Sequence, residues 1–179
     1  MNPYLLLALG VLLLAAFKKK PATGTTTSPG GTNYGAGVVN PTTEEIAAAL
    51  RRIAATYGNA IARNVERIYR LETASFTSGQ FRLTNTAGMK AFSMTWPFGW
   101  AKRGTVPDMF AAPVSMSENA GGGPFNWVAF KRFEDASEYL AKFLQAYNND
   151  PARWRTDRLD SQTAASYRAA VAAINPNFT

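Results

Sequence analysis

Apolar residues recur at helical spacing in four stretches of the chain, and the intervals between them differ in kind. In residues 40–59, NPTTEEIAAALRRIAATYGN, Ile46, Leu50 and Ile53 fall on one face. A proline, a threonine cap and first-turn glutamates precede them. The pattern predicts a helix from Thr43 to about Tyr57, broken by Gly58 and Asn59. A second helix is predicted from about Ala60 to Ala74, with Ile61, Val65 and Ile68 as its apolar stripe. One more helical step along that stripe reaches Glu72, a carboxylate where the next core residue is due. From Phe76 to Phe130 the helical period is lost, and glycine, proline and aromatic residues dominate. Strand-like runs at Pro113–Ser117 and Phe125–Phe130 flank Gly121, Gly122, Gly123 and Pro124, which predicts a hairpin. Helices return from Asp135, first with Tyr139, Phe143 and Ala146 on one side, then with Ala164, Tyr167 and Val171. No internal repeat is evident. The fold class expected is α+β and mainly helical, a helical lobe with a small β insertion and Glu72 at their junction.

The N-terminal part follows another pattern. Residues 3–17, PYLLLALGVLLLAAF, are uniformly apolar and end in Lys18, Lys19 and Lys20. As a helix they would span roughly 22 Å, short of a hydrocarbon core of about 30 Å, a gap that snorkelling lysines or local thinning of the bilayer would close. A secretory signal carries its charge before the apolar run, so the reversed order is read first as a membrane anchor, with the lysines on the cytoplasm-like side, and next as a cleaved signal or an apolar packing helix. Residues 21–39 are rich in Gly, Thr, Ser and Pro and read as a tether. The expected domains are thus an anchor (1–20), a linker (21–39) and a folded domain (40–179).

Composition narrows the chemistry. The 179 residues include no cysteine and no histidine, which excludes disulfides, thiolate catalysis, imidazole bases and Cys- or His-based metal sites. Acid–base chemistry must come from carboxylates, tyrosine or lysine, and nothing in the sequence calls for a metal or organic cofactor. The net charge of +7 favours an anionic partner. The excess is scattered along the chain without the basic–aromatic signature of a nucleic-acid module, so no nucleic-acid partner is expected. A glutamate desolvated against apolar side chains resists ionisation and is suited to donate a proton to a leaving oxygen, as glycoside hydrolysis requires. The competing reading has Glu72 turning out to water at the helix end.

The residues after Glu72 bear on that choice. The pattern E-T-x-x-F-x-S-x-x-F from Glu72 to Phe81, then NTAGMKA from Asn85 to Ala91, and FKRFEDASEY from Phe130 to Tyr139 resemble the glucosaminidase family of cell-wall hydrolases. The likeness runs from about Glu45 to Ile174. It implies a lysozyme-like fold with a cleft between a helical and a β lobe, and cleavage of the β-1,4 bond after N-acetylglucosamine in peptidoglycan. Glu72 matches the family's catalytic acid. A second carboxylate is expected on or near the hairpin, with Glu118 first and Asp108 next, unless the substrate's own N-acetyl group takes that part. Asn85 belongs to the matching motif and is expected to bind substrate, and Lys90 after the Gly88 turn is expected to reach a sugar hydroxyl or peptide carboxylate. Glycan clefts also present flat apolar faces to sugar rings. FSMTWPFGW, residues 92–100, supplies Trp96 and Trp100, and Trp127 follows on the second strand. The expected partners are peptidoglycan strands and, through residues 3–17, a lipid bilayer. A virion with its own membrane suits this organisation, which would add virion proteins as partners and make the chain a phage's tool for penetrating the host wall. A lytic transglycosylase, or a non-catalytic wall-binding or structural virion protein, remains the alternative.

Overall fold

The computed structural model describes residues 37–89, 108–117, 124–155 and 160–179. Thr42 and Glu45 cap the first helix reciprocally. The Thr42 hydroxyl accepts from the Glu45 amide at 3.2 Å, and the Glu45 carboxylate accepts from the Thr42 amide at 2.7 Å, which satisfies two of the donors that a helix start leaves without partners. Helix α1 (Thr43–Tyr57) ends at Gly58, and α2 (Asn59–Glu72) begins there. At φ +89° this residue occupies backbone space that a side chain would strain. A six-residue helix α3 (Gly79–Thr84) follows, capped by the Ser78 hydroxyl.

Strands β1 (Phe110–Met116) and β2 (Phe125–Phe130) pair antiparallel. The register slips between Ala111 and Val114, so Ala112 and Pro113 together face Val128. A proline has no amide to give to a ladder, and a bulge is where a strand tolerates one. β1 therefore starts three residues before the predicted run. Val128 sends its amide to the Met89 carbonyl at 2.8 Å. The remaining helices are α4 (Phe133–Ala146), α5 (Ala152–Arg155) and α6 (Ser161–Ala173).

One core gathers Ile46, Leu50 and Ile53 of α1, Val65, Ile68 and Tyr69 of α2, Leu140 and Leu144 of α4, and Tyr167 and Val171 of α6. Each fully buried aliphatic side chain there contributes roughly 1.5–3 kcal/mol. A second cluster, including Phe110, Phe130 and Tyr139, joins the hairpin to α4. The sequence put Tyr139, Phe143 and Ala146 on the inner side of α4. Tyr139 is buried, Phe143 half-buried and Ala146 exposed. The inner face instead runs through Ala136, Leu140 and Leu144, because α4 packs against α1, α2 and the hairpin at once.

Val39 already belongs to the packed chain, slightly before the expected start at Asn40. Its amide donates to the Lys131 carbonyl at 2.8 Å, and Val38 packs against Ala111, Val114 and Ala129. Among the described residues no helix is long and apolar enough to cross a membrane. Residues 3–17, which carry the anchor expectation, lie outside them, as does most of the expected linker.

Candidate active site

Glu72 is the last residue of α2, and three elements fix what surrounds it. Directly after it, the Thr73 hydroxyl donates to the Tyr69 carbonyl and accepts from the Phe76 amide at 2.9 Å. Thr73 is fully buried. Between those bonds, Ala74, Ser75 and Phe76 run through three successive left-handed conformations, with φ of 49°, 56° and 68°. Such conformations cost roughly 1–2 kcal/mol per residue without glycine, so the surroundings must hold them. The Phe76 ring does so: it stacks on Tyr69 with centroids 5.8 Å apart and meets Phe81 and Phe133 edge-on. Strain of this kind concentrates at functional sites.

The carboxylate itself is met from two other helices. The Tyr167 hydroxyl on α6 donates to Glu72 Oε1 at 2.7 Å. Arg155 Nη1, at the end of α5, lies 3.8 Å from the same oxygen, and its guanidinium carbon sits 5.7 Å from the centre of the Tyr167 ring. The Glu72 side chain is 22% exposed, neither sealed nor turned out to water. Tyr167 is held far above the ordinary phenol range, first by burial, then by the Glu72 charge and the hydrogen bond to it, with Arg155 acting the other way. It is therefore a permanent donor. The site is more polar than the sequence suggested, because periodicity shows which way Glu72 points but not what meets it. A carboxylate at a helix C-terminus is disfavoured by the helix dipole, whereas a hydroxyl donor and a nearby cation favour it.

Asp150 assembles this corner. Its Oδ1 accepts from the Ala152 amide at 3.1 Å, starting α5, and both its oxygens take the Arg168 fork of α6 at 2.8 and 2.7 Å. Arg168, then the Ala152 amide, hold the Asp150 carboxyl below its usual range. A depressed folded value means that the stabilisation is complete above the unfolded value near pH 3.9 and is lost as pH falls through the folded one. Asp150→Asn is expected to be less stable than the parent by about 0.5–1 kcal/mol at pH 7. That difference should shrink as pH falls below the unfolded value and through the lower folded one. Paired urea melts across pH 7 to 2.5 measure it, and a gap unchanged at pH 2.5 contradicts the assignment. Trp154, beside Arg155, donates its indole N–H to the Ala87 carbonyl at 3.0 Å, so α5 bridges from Glu72 to the loop that leads into Gly88 and Met89.

The structure corrects two of the expected site residues, Asn85 and Trp127. Asn85 is fully buried, and its Nδ2 donates to the carbonyls of Val39, Phe130 and Lys131 at 3.0–3.3 Å. It staples α3 to the hairpin and to the incoming chain and presents nothing to a substrate. Trp127 is 8% exposed, with its indole N–H on the Met116 carbonyl and its ring 3.8 Å from where a side chain on Gly88 would begin. It packs the hairpin onto the Gly88 turn rather than offering a face to a sugar. Asp108, the alternative second carboxylate, is fully exposed, and the hydrogen bond from Lys131, then its charge, hold the carboxyl below the usual range. Glu118, Lys90, Trp96 and Trp100 lie outside the described residues.

Tyr167 and Arg155 are the site residues that sequence reasoning missed. The helical stripe marked Tyr167 as a core residue, and its ring is one, but a periodicity says nothing of where the hydroxyl ends. A surface recess of about 240 Å³ lined by Met109, Asp135, Glu138 and Lys142 contains neither Glu72 nor any expected site residue. No known protein family, curated protein or solved structure matches the chain.

Proposed function

We propose that the chain is a glycoside hydrolase of lysozyme-like architecture that cleaves the β-1,4 bond after N-acetylglucosamine in peptidoglycan. The observation that carries the reading is the setting of Glu72. It ends a core helix, its Oε1 is fixed by a tyrosine that stays protonated, and a strained turn follows it immediately. Glu72 gives a proton to the glycosidic oxygen as the C1–O bond breaks. Water then supplies the hydroxyl at C1 and returns the proton. Either Glu118 or the substrate's own N-acetyl group supports the positive charge that develops at C1. The expected pairing of Trp96 and Trp100 with sugar rings and of Lys90 with a polar substituent belongs to the same reading. So does delivery to the wall, by residues 3–17 as a bilayer anchor, in a phage virion membrane or a bacterial envelope.

The test is a clearing assay on purified murein alongside a pelleting assay with the same material. The hydrolase reading expects the parent protein to clear murein. A protein that pellets with murein and never clears it is a wall-binding module, which contradicts the reading. Release of anhydro-muramic ends would instead make the chain a lytic transglycosylase.

A further inference from the structure

The geometry points to Arg155 as a specificity residue that recognises a carboxylate on the peptide stem of the substrate strand. Arg155 would thereby distinguish peptide-bearing murein from the same polymer without its negative charge. The inference rests on the murein reading above and names what that site selects.

Among the described ion pairs, Arg155 with Glu72 is the longest, at 3.8 Å, while the others lie at 3.0 Å or less. At that distance the pair is not a hydrogen bond. Arg70 and Arg168 are each committed to a carboxylate by short bonds. Arg155 makes no hydrogen bond among the described residues, and its side chain is 44% exposed beside Glu72. A guanidinium fork is built for two parallel bonds to a carboxylate, and Glu72 Oε1 gives it only a distant charge. The fork is nevertheless not adrift. The Tyr167 ring lies beneath it, and Trp154 and Asp150 fix the short helix that carries it.

A carboxylate arriving on the strand would give the fork the bidentate geometry that Glu72 Oε1, at 3.8 Å, does not. Substrate charge is what the fork selects, and an uncharged strand offers it nothing.

The test uses the full chain with native murein and with murein whose stem carboxylates have been converted to amides. Binding is read by pelleting in the Glu72→Gln background, so that cleavage does not intrude. Glu72→Gln protein should bind native murein about tenfold or more tightly than amidated murein, the value of one good charge-assisted pair. Adding Arg155→Gln should remove most of that preference, and Arg155→Lys should retain part of it. Arg51→Gln, an exposed change of equal charge elsewhere, should leave the preference nearly intact, which separates site recognition from the general effect of net charge. The inference is overturned if Arg155→Gln and Arg51→Gln alter the preference equally, or if neither does. Failure of the parent protein to cleave any murein overturns the hydrolase reading on its own, whatever the binding ratios show.

Discussion

Glu72→Gln should abolish murein clearing while leaving the fold intact. Glutamine has nearly the shape of glutamate and its amide oxygen still accepts from the Tyr167 hydroxyl, so the 2.7 Å bond survives. What is lost is the transferable proton. Removal of a general acid lowers rates by roughly 10² to 10⁴-fold, and the leaving group here is a sugar alkoxide with no other described donor assigned to it. Thermal unfolding should shift little, because the Glu72 side chain is part-exposed and its described cation is distant. The pair of readouts matters: activity gone with the melting temperature unchanged marks a chemical role, whereas loss of both marks a structural one. Tyr167→Phe is the informative companion. It keeps the buried ring and releases Oε1, so activity should fall without vanishing.

Glu66→Ala should produce the largest loss of stability of any single change considered. Glu66 sits on α2 with no exposure, and it gathers the end of the chain. Its carboxylate accepts from Arg70 Nε at 2.8 Å, from the amides of Asn177 and Phe178 at 2.6 and 3.1 Å, and from the Thr179 hydroxyl at 3.0 Å. Removing one member of a buried pair leaves the other charge without compensation and costs about 3–5 kcal/mol. Arg70 would be the charge left behind. Its guanidinium lies 5.0 Å from the Phe178 ring centre and 5.5 Å from that of Phe76, and its Nη2 is already buried without a partner among the described residues. For a domain of this size the loss corresponds to a melting temperature lower by roughly 10 °C or more. Glu66→Met with Arg70→Met should recover only part of it, since the two tail amides still lack an acceptor. A melting temperature for Glu66→Ala within about 2 °C of the parent would show that these contacts contribute little.

The link between the two positions runs through Phe76. Arg70 lies against its ring, and Phe76 closes the left-handed turn that begins two residues after Glu72. Loosening the tail should therefore reach the site through that turn, and Glu66→Ala protein assayed below its melting temperature should be less active than its folded fraction alone accounts for.

Helical spacing made α1, α2 and α6 legible from the sequence to within a residue or two, because each carries a clean stripe and a polar or glycine boundary. β2 was equally plain between the glycine run and the basic pair Lys131 and Arg132. Helices α3 and α5 were not, since six and four residues are too few for a period to declare itself. The inward register of Glu72 could be counted along α2. Its partners could not, because Tyr167 lies 95 residues further on, and only packing brings the two helices together. Asn85 and Trp127 show the reverse failure. Amide and indole groups are equipped to hold a sugar, but they serve as well to satisfy a backbone or fill a hairpin, and residue type does not say which surface a side chain faces. In both, burial decided the matter.

The central claim is that water is added across a glycosidic bond with Glu72 as the proton donor. Digestion of murein in ¹⁸O-labelled water, followed by mass spectrometry of the soluble fragments, tests it directly. The account predicts new reducing ends on N-acetylglucosamine, each carrying one heavy oxygen, from the parent protein and almost none from Glu72→Gln. Fragments without heavy oxygen, or equal yields from the two proteins, would contradict it.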